Sequence, residues 1–227
     1  IVGNGSNLLV SDQGYEGVII QIYKQMNRVE ITENEIHAQA GALLSMIANR
    51  AMEAELTGFE FAAGIPGTLG GACVMNAGAY GGEMKDVLET VTVLTRDGDV
   101  KTLTKDELEL GYRTSVIAKK DYIVLSAVIR LENGKKEEIK AVMDDLKEKR
   151  ITKQPLEYPS AGSTFKRPEG YFAGKLIQDA GLRGFQVGGA QVSEKHCGFV
   201  VNKDQATAAD VMNLMNQVSD KVYEMSG

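Results

Sequence analysis

The residues able to do chemistry fall into five clusters. Gly3-Asn4-Gly5-Ser6-Asn7 lines up small and amide-bearing residues whose backbone N–H groups can converge on one point and hold a diphosphate without a charged side chain. It is not a dinucleotide fingerprint, because Leu8 stands where the third glycine belongs and a strand, not a helix, is expected to follow. Gly64-Ile65-Pro66-Gly67-Thr68-Leu69-Gly70-Gly71 and Asn76-Ala77-Gly78-Ala79-Tyr80-Gly81-Gly82 form two further small-residue loops. Such a pair suits a large flat ligand, a flavin with its pyrophosphate, although two tight turns around a small-residue helix would read the same way. Tyr112-Arg113-Thr114-Ser115 offers one cation, and the 160–168 loop gathers hydroxyls (Ser160, Ser163) with the cations Lys166 and Arg167.

Other chemistries lack their parts. The run from Gly170 to Leu176 falls one residue short of a phosphate-binding P-loop and lacks its Ser/Thr. No Gly-x-Ser-x-Gly elbow is present. Two histidines, His37 and His196, lie far apart without ligand-spaced partners, so no metal site is expected. Cys73 and Cys197 are expected as free buried thiols in a reducing compartment. No apolar run is long enough to span a membrane. The net charge of −6 argues against a nucleic-acid partner. It is unevenly spread: residues 147–203 hold ten Lys/Arg against five acids, a basic third that would focus an anionic small ligand.

These clusters need elements to position them. Short β-type runs are expected at 18–22, 28–31 and 35–40. Leu43, Leu44, Ile47, Ala48, Ala51 and Met52 predict a helix stopped at Gly58 after Leu56. A hairpin is predicted from 87–94 and 100–103 around Asp97-Gly98-Asp99, then a strand over 122–131. A helix over 135–149 would turn Ile139, Val142, Met143 and Leu146 inward. Three of the four prolines lie between 153 and 168, which places a domain boundary near 151. Beyond it come a helix over 172–180, strands near 190–192 and 199–201, and a last helix capped by Thr207 with Asp210.

The six motifs beginning at Gly3, Gly64, Asn76, Gly111, Ala161 and Gly174 (Gly-Lys175-Leu176-Ile177) closely resemble, in this order, those of the UDP-N-acetylenolpyruvoylglucosamine reductase family. The resemblance implies an α+β chain: residues 1–150 as a flavin-binding domain of the PCMH/vanillyl-alcohol-oxidase type, and 151–227 as a smaller α+β substrate-binding domain. It implies a monomeric cytoplasmic enzyme of peptidoglycan synthesis, with non-covalent FAD as cofactor and NADPH as reductant. The other partner would be UDP-N-acetylglucosamine enolpyruvate, without nucleic acid or membrane.

Residue by residue, Arg113 resembles the cation that stabilises an enolate, and Ser163 the proton donor. Gly3, Asn4, Gly5, Ser6, Asn7, Gly64, Pro66, Gly67, Thr68, Gly71, Asn76, Gly78, Ala79 and Arg150 would hold the flavin. Tyr80, Lys153, Lys166, Arg167 and His196 would meet the substrate, and no metal is implied. The spacing from Arg113 to Ser163 resembles the type II branch, which lacks an extra loop. The family's glutamate strand does not follow Glu224, and the chain is expected to lack both ends of the family's sequence. Two other readings remain: a catalytically incomplete flavin or nucleotide-sugar binding module, and another oxidase of the same flavin fold.

Overall fold

A computed structural model describes residues 1–227. The chain divides into two compact units, one built from 1–5 and 18–148 and the other from 6–17 and 149–227. Residues 6–17, which the sequence groups with the first 150, therefore make their contacts in the second unit.

The first unit centres on an antiparallel five-stranded sheet of order β1-β2-β8-β6-β7. These strands are β1 (Val29–Thr32), β2 (Glu35–Gln39), β6 (Leu88–Leu94), β7 (Val100–Thr104) and β8 (Ile123–Arg130). On β2 and β6 the inward residues Ile36, Ala38, Val91 and Val93 alternate with polar ones, the period-2 pattern that buries one face, and β8 adds Val124, Ala127 and Ile129. Helices α1 (Leu44–Glu53) and α2 (Leu69–Met75) contribute Leu44, Ile47, Leu69 and Cys73 to that core. Short elements link them: β3 (Leu56–Thr57) pairs with β9 (Glu132–Asn133), β4 (Gly78–Ala79) with β5 (Gly82–Glu83), and α3 (Met84–Val87) and α4 (Val116–Lys119) are single turns.

Three expectations are corrected here. Residues 18–22 form no strand, because the only partner is Val2, which accepts from Ile22 N–H (2.8 Å) and donates to Ile20 O (3.0 Å). Val18 remains 86% exposed. The helix expected to run to Leu56 stops at Glu53, where Glu55 enters the left-handed region (φ 58°) and frees Leu56 to pair with Asn133. On α5 (Lys136–Lys153), Ile139 is buried and Met143 half-buried, but Val142 is exposed, one position off the Ile139–Met143–Leu146 stripe.

The second unit packs α6 (Ala173–Asp179) and α7 (Ala208–Ser226) with a three-stranded sheet, β10 (Gln186–Val187), β11 (Ala190–Val192) and β12 (Val200–Asn202). Ile177, Leu182, Val192, Cys197, Leu214 and Val218 form its core. At the start of α7, Thr207 Oγ1 accepts from Asp210 N–H (3.0 Å). Asp210 in return accepts from Thr207 N–H (2.9 Å) and Gly189 N–H (3.3 Å). Asp12 accepts from Ala208 N–H (2.9 Å), which fastens segment 6–17 to the same helix end.

The Thr207 backbone N–H, followed by that of Gly189, holds the Asp210 carboxyl below its ordinary range. A lowered carboxyl contributes stability above the unfolded value and loses it as pH falls through the folded one. We therefore expect the start of α7 to lose this stabilisation in acid titration only below the usual Asp range. Thr207→Ala is expected to cost about 1 kcal/mol in urea unfolding at neutral pH, the usual loss of an N-cap. Cys73 is fully buried and its thiol is pushed up to about 12 by desolvation, so it should resist alkylation until the chain unfolds.

Candidate functional site

In the first unit the two glycine-rich loops meet. Asn4 Nδ2 reaches Pro66 O at 3.5 Å, 62 residues away. A Cβ on Gly3 would lie 2.3 Å from Thr68 Oγ1, so only glycine lets the segments approach this closely. Gly5 takes a left-handed φ of 69°. Backbone N–H groups of Asn4, Gly5 and Gly71 have no acceptor within the chain, which leaves three main-chain donors of the kind a diphosphate accepts from.

The 64–71 loop owes its shape to a segment that sequence reasoning missed. Leu44 N–H donates to Gly67 O (3.1 Å), Leu69 N–H to Ala42 O (2.8 Å) and Gly70 N–H to Ala40 O (2.8 Å). Gly41 lets segment 23–26 close against the same stretch: a Cβ there would sit 2.2 Å from Tyr23 O and 2.8 Å from Met26 O. Nothing in Gly41 itself signals the role, because the contact joins segments far apart in sequence. Gly64 and Pro66 precede the pinned stretch, and Thr68 is buried just ahead of α2.

Arg113 stands at the corner of a two-residue turn, where Gly111 N–H and Thr114 O (3.1 Å) and Thr114 N–H and Gly111 O (3.3 Å) pair. It adopts φ 54°, a region bulky side chains seldom enter. Its guanidinium donates from Nη1 to Asn76 O (3.2 Å) and from Nη2 to Gly78 O (3.0 Å), with the Tyr112 ring 5.3 Å away. Partners that are neutral carbonyls leave the full positive charge for an anion. Ser115, not singled out by the sequence, is fully buried and donates to Val74 O (2.7 Å), tying this turn to α2.

Asn76 behaves differently from its neighbours in the expected flavin set. Its amide is fully buried and engaged inside the chain, with Glu83, Gly111 and the Lys85 N–H. Gly78 must be glycine because a Cβ would meet Glu83 Cβ at 2.7 Å. Ala79 is half-buried in the same hairpin, and Tyr80 follows with φ 53° and an exposed ring.

In the second unit the 160–168 loop is laced along β12. Thr164 N–H donates to Gly198 O (2.9 Å), Asn202 N–H donates to Pro159 O (2.9 Å), and Ser163 bridges to Phe199. Two of the loop's hydroxyls serve the scaffold: Ser160 Oγ donates to Val200 O (2.8 Å), and Thr164 Oγ1 accepts from Val200 N–H (3.2 Å). Ser163 is exposed and its hydroxyl has no partner in the chain. His196, behind Phe199 at a ring separation of 5.0 Å, accepts from Gly198 N–H at Nδ1 (3.1 Å). The neutral ring therefore carries its proton on exposed Nε2.

Other expected residues are more scattered within this unit. Ser6 and Asn7 lie in segment 6–17. Arg150 is half-buried and Lys153 exposed, one turn apart at the end of α5. Lys166 is exposed, and Arg167 sits 5.6 Å from the Phe172 ring. Lys195 donates to Ile151 O (2.8 Å), and Lys203 to Tyr158 Oη (2.6 Å). The latter hydrogen bond raises the lysine's pKa. Two cations of the basic third are thus structural. Glu224 lies within α7. No group of three His, Cys, Asp or Glu side chains is arranged to hold a metal ion.

Comparison with known proteins adds identity to this geometry. Residues 1–104 match the family described as FAD binding domain. Residues 154–227 match UDP-N-acetylenolpyruvoylglucosamine reductase, C-terminal domain. The UDP-N-acetylenolpyruvoylglucosamine reductase of Agathobacter rectalis is 59% identical over the whole chain, which covers 76% of that relative. That of Clostridioides difficile is 54% identical, again over the whole chain and 75% of the relative. The crystal structure of the Thermus caldophilus reductase superposes with a TM-score of 0.84 at 39% identity, over 96% of this chain and 79% of the other.

Two glycine substitutions should separate architecture from binding. Gly41→Ala drives a Cβ into backbone carbonyls and should lose about 1–3 kcal/mol of stability. Gly71→Ala meets nothing nearer than Thr68 Oγ1 at 3.8 Å, so its unfolding midpoint should hold while FAD affinity, read by fluorescence titration, falls.

Proposed function

This chain belongs to the UDP-N-acetylenolpyruvoylglucosamine reductase family, and from that premise we propose how its residues carry out the family's reaction. It is an FAD-dependent oxidoreductase of peptidoglycan synthesis that uses NADPH to reduce UDP-N-acetylglucosamine enolpyruvate to UDP-N-acetylmuramate. The likeness over the full chain carries the reading, because every motif from Gly3 to Ile177 lies inside the matched span.

The residues fit the flavin on structural grounds. The close approach of Gly3 to Thr68 and the unpartnered N–H groups of Asn4, Gly5 and Gly71 form a cradle that a Cβ would fill. Gly3, Asn4 and Gly5 with Gly64, Pro66, Gly67, Thr68 and Gly71 would hold it through backbone contacts, and Gly78 and Ala79 would extend the site within the first unit. The first unit, 1–5 with 18–148, would carry the flavin and the second, 6–17 with 149–227, the substrate. When bound, FAD would supply the hydride transfer from NADPH to the enolpyruvyl β-carbon. The chain must then manage one charge and one proton.

Arg113 meets the carboxylate on which enolate charge grows; its support is a guanidinium held only by carbonyls, so the cation is not neutralised in advance. Ser163 supplies the proton to the α-carbon; its support is that, of the hydroxyls at 160, 163 and 164, only this one is not spent on the scaffold. Lys153, Lys166, Arg167, Tyr80 and His196 line the substrate's path, with lysine and arginine matched to its diphosphate. The protein works as a cytoplasmic monomer without a nucleic-acid or membrane partner. Two buried free cysteines support the reducing compartment, and a net charge of −6 the lack of a nucleic-acid partner.

The purified protein should be yellow, or become so on addition of FAD. In stopped-flow, Ser163→Ala should reduce flavin with NADPH within a few-fold of the parent. Its substrate half-reaction should fall by about 10²–10⁴-fold, the usual contribution of a general acid. Ser163→Cys should recover part of the loss. Equal slowing of both halves would mean Ser163 only shapes the cleft, and no slowing would place the donor elsewhere.

A further inference from the structure

The Arg113 guanidinium is only as well placed as the two carbonyls it donates to, and both belong to the short loop carrying Asn76 and Gly78. One buried amide governs that loop. Asn76 is fully buried in the left-handed region, φ 41°. Its Nδ2 donates to Glu83 Oε2 (2.5 Å) and to Gly111 O (3.0 Å), and its Oδ1 accepts from Lys85 N–H (2.9 Å).

Gly111 opens the turn that holds Arg113, so this amide joins the loop supplying the acceptors to the turn supplying the donor. Its orientation is fixed from the far side by Glu83, whose carboxylate is itself balanced by Lys85 Nζ at 2.6 Å. That pairing raises the Lys85 pKa and keeps the lysine charged. The carboxylate that orients the amide is thus countered by a lysine, while the arginine donates to carbonyls alone.

We propose that Asn76, oriented by the Glu83–Lys85 ion pair, is a positioning residue that sets the Arg113 guanidinium for the substrate's anionic centre. The flavin-contact role expected of Asn76 does not need its side chain. Because Arg113 moves with both ends of the network, loss of the amide displaces a catalytic cation by a fraction of its reach, and small displacements are costly in a pre-organised site. The proposal rests on the reading of Arg113 as the cation that meets the enolate.

A double-mutant cycle on the FAD-loaded protein tests it, using Asn76→Gly (which keeps the left-handed backbone), Arg113→Ala and both together. Asn76→Gly should lower kcat for substrate reduction about ten- to hundredfold. KM and flavin reduction by NADPH should stay within a few-fold. In the Arg113→Ala background the same change should cost less than about twofold. Glu83→Gln, which retains an acceptor for Asn76 Nδ2, should fall between parent and Asn76→Gly. Independent of turnover, nitrogen NMR should show the Arg113 Nη signals resolved in the parent and averaged in Asn76→Gly.

An undiminished loss in the Arg113→Ala background, or unchanged Arg113 signals, would overturn the positioning role and leave Asn76 acting on the flavin or on folding. Parental turnover in Arg113→Ala would overturn the role of Arg113 itself, and this proposal with it. Should Asn76→Gly fail to fold, Glu83→Gln carries the same cycle, and additivity with Arg113→Ala again overturns the proposal.

Discussion

Main chain can approach main chain closely only where no bulky side chain intervenes, and the first unit is organised around that constraint. Segment 40–44 and loop 67–70 are joined main chain to main chain, Ala40, Ala42 and Leu44 against Gly70, Leu69 and Gly67. Gly70 brings no Cβ into the joint, where it would lie 3.1 Å from Ala40 Cβ, and at Gly41 a methyl would overlap the Tyr23 and Met26 carbonyls that close on the same segment. Since α1 and α2 both start at this joint, the positions of their core residues Leu44, Ile47, Leu69 and Cys73 follow from it. The sheet supplies the rigidity beneath, with β2 and β8 in continuous register from Glu35↔Arg130 to Gln39↔Ser126.

Two different physical devices make side chains available for reaction. Arg113 is presented by strain and neutral partners, a left-handed corner whose guanidinium rests on carbonyls. Surface ion pairs such as Arg130 with Glu35 or Arg96 with Asp121 would serve poorly, because an attached carboxylate cancels the charge a substrate anion needs. Ser163 is presented by exclusion. Its neighbours Ser160 and Thr164 spend their hydroxyls on Val200, fixing the loop to β12 and leaving the middle hydroxyl exposed. Availability in both cases is created by what adjacent groups already hold.

The basic third shows how charge counting and geometry part company. Its excess of lysine and arginine is real, yet Lys195 and Lys203 hold Ile151 and Tyr158, and Lys175 pairs with Asp179 at 2.5 Å. Segment 6–17 departs in another way. It follows a diphosphate-type turn directly, but Asp12 caps α7, so its contacts are made with the last helix rather than with its neighbours in sequence.

Much of this was legible in the sequence because it depends on local chemistry. Alternation marked β1, β2, β6, β7 and β8 to within one or two residues, and Thr207 with Asp210 announced the α7 cap. The ordered glycine motifs carried the family, since close approach tolerates only the smallest residue. What local pattern could not supply was partnership. The apolar run at 18–22 has the composition of a strand but finds only Val2, and Val142 has a core residue's side chain on the wrong side of its helix. Gly41, Glu83, Ser115 and the scaffold roles of Ser160 and Thr164 were invisible for the same reason. The sequence determined which residues could react, because reactivity belongs to the side chain. Only the tertiary structure decided which were held ready, because that depends on partners contributed by distant segments.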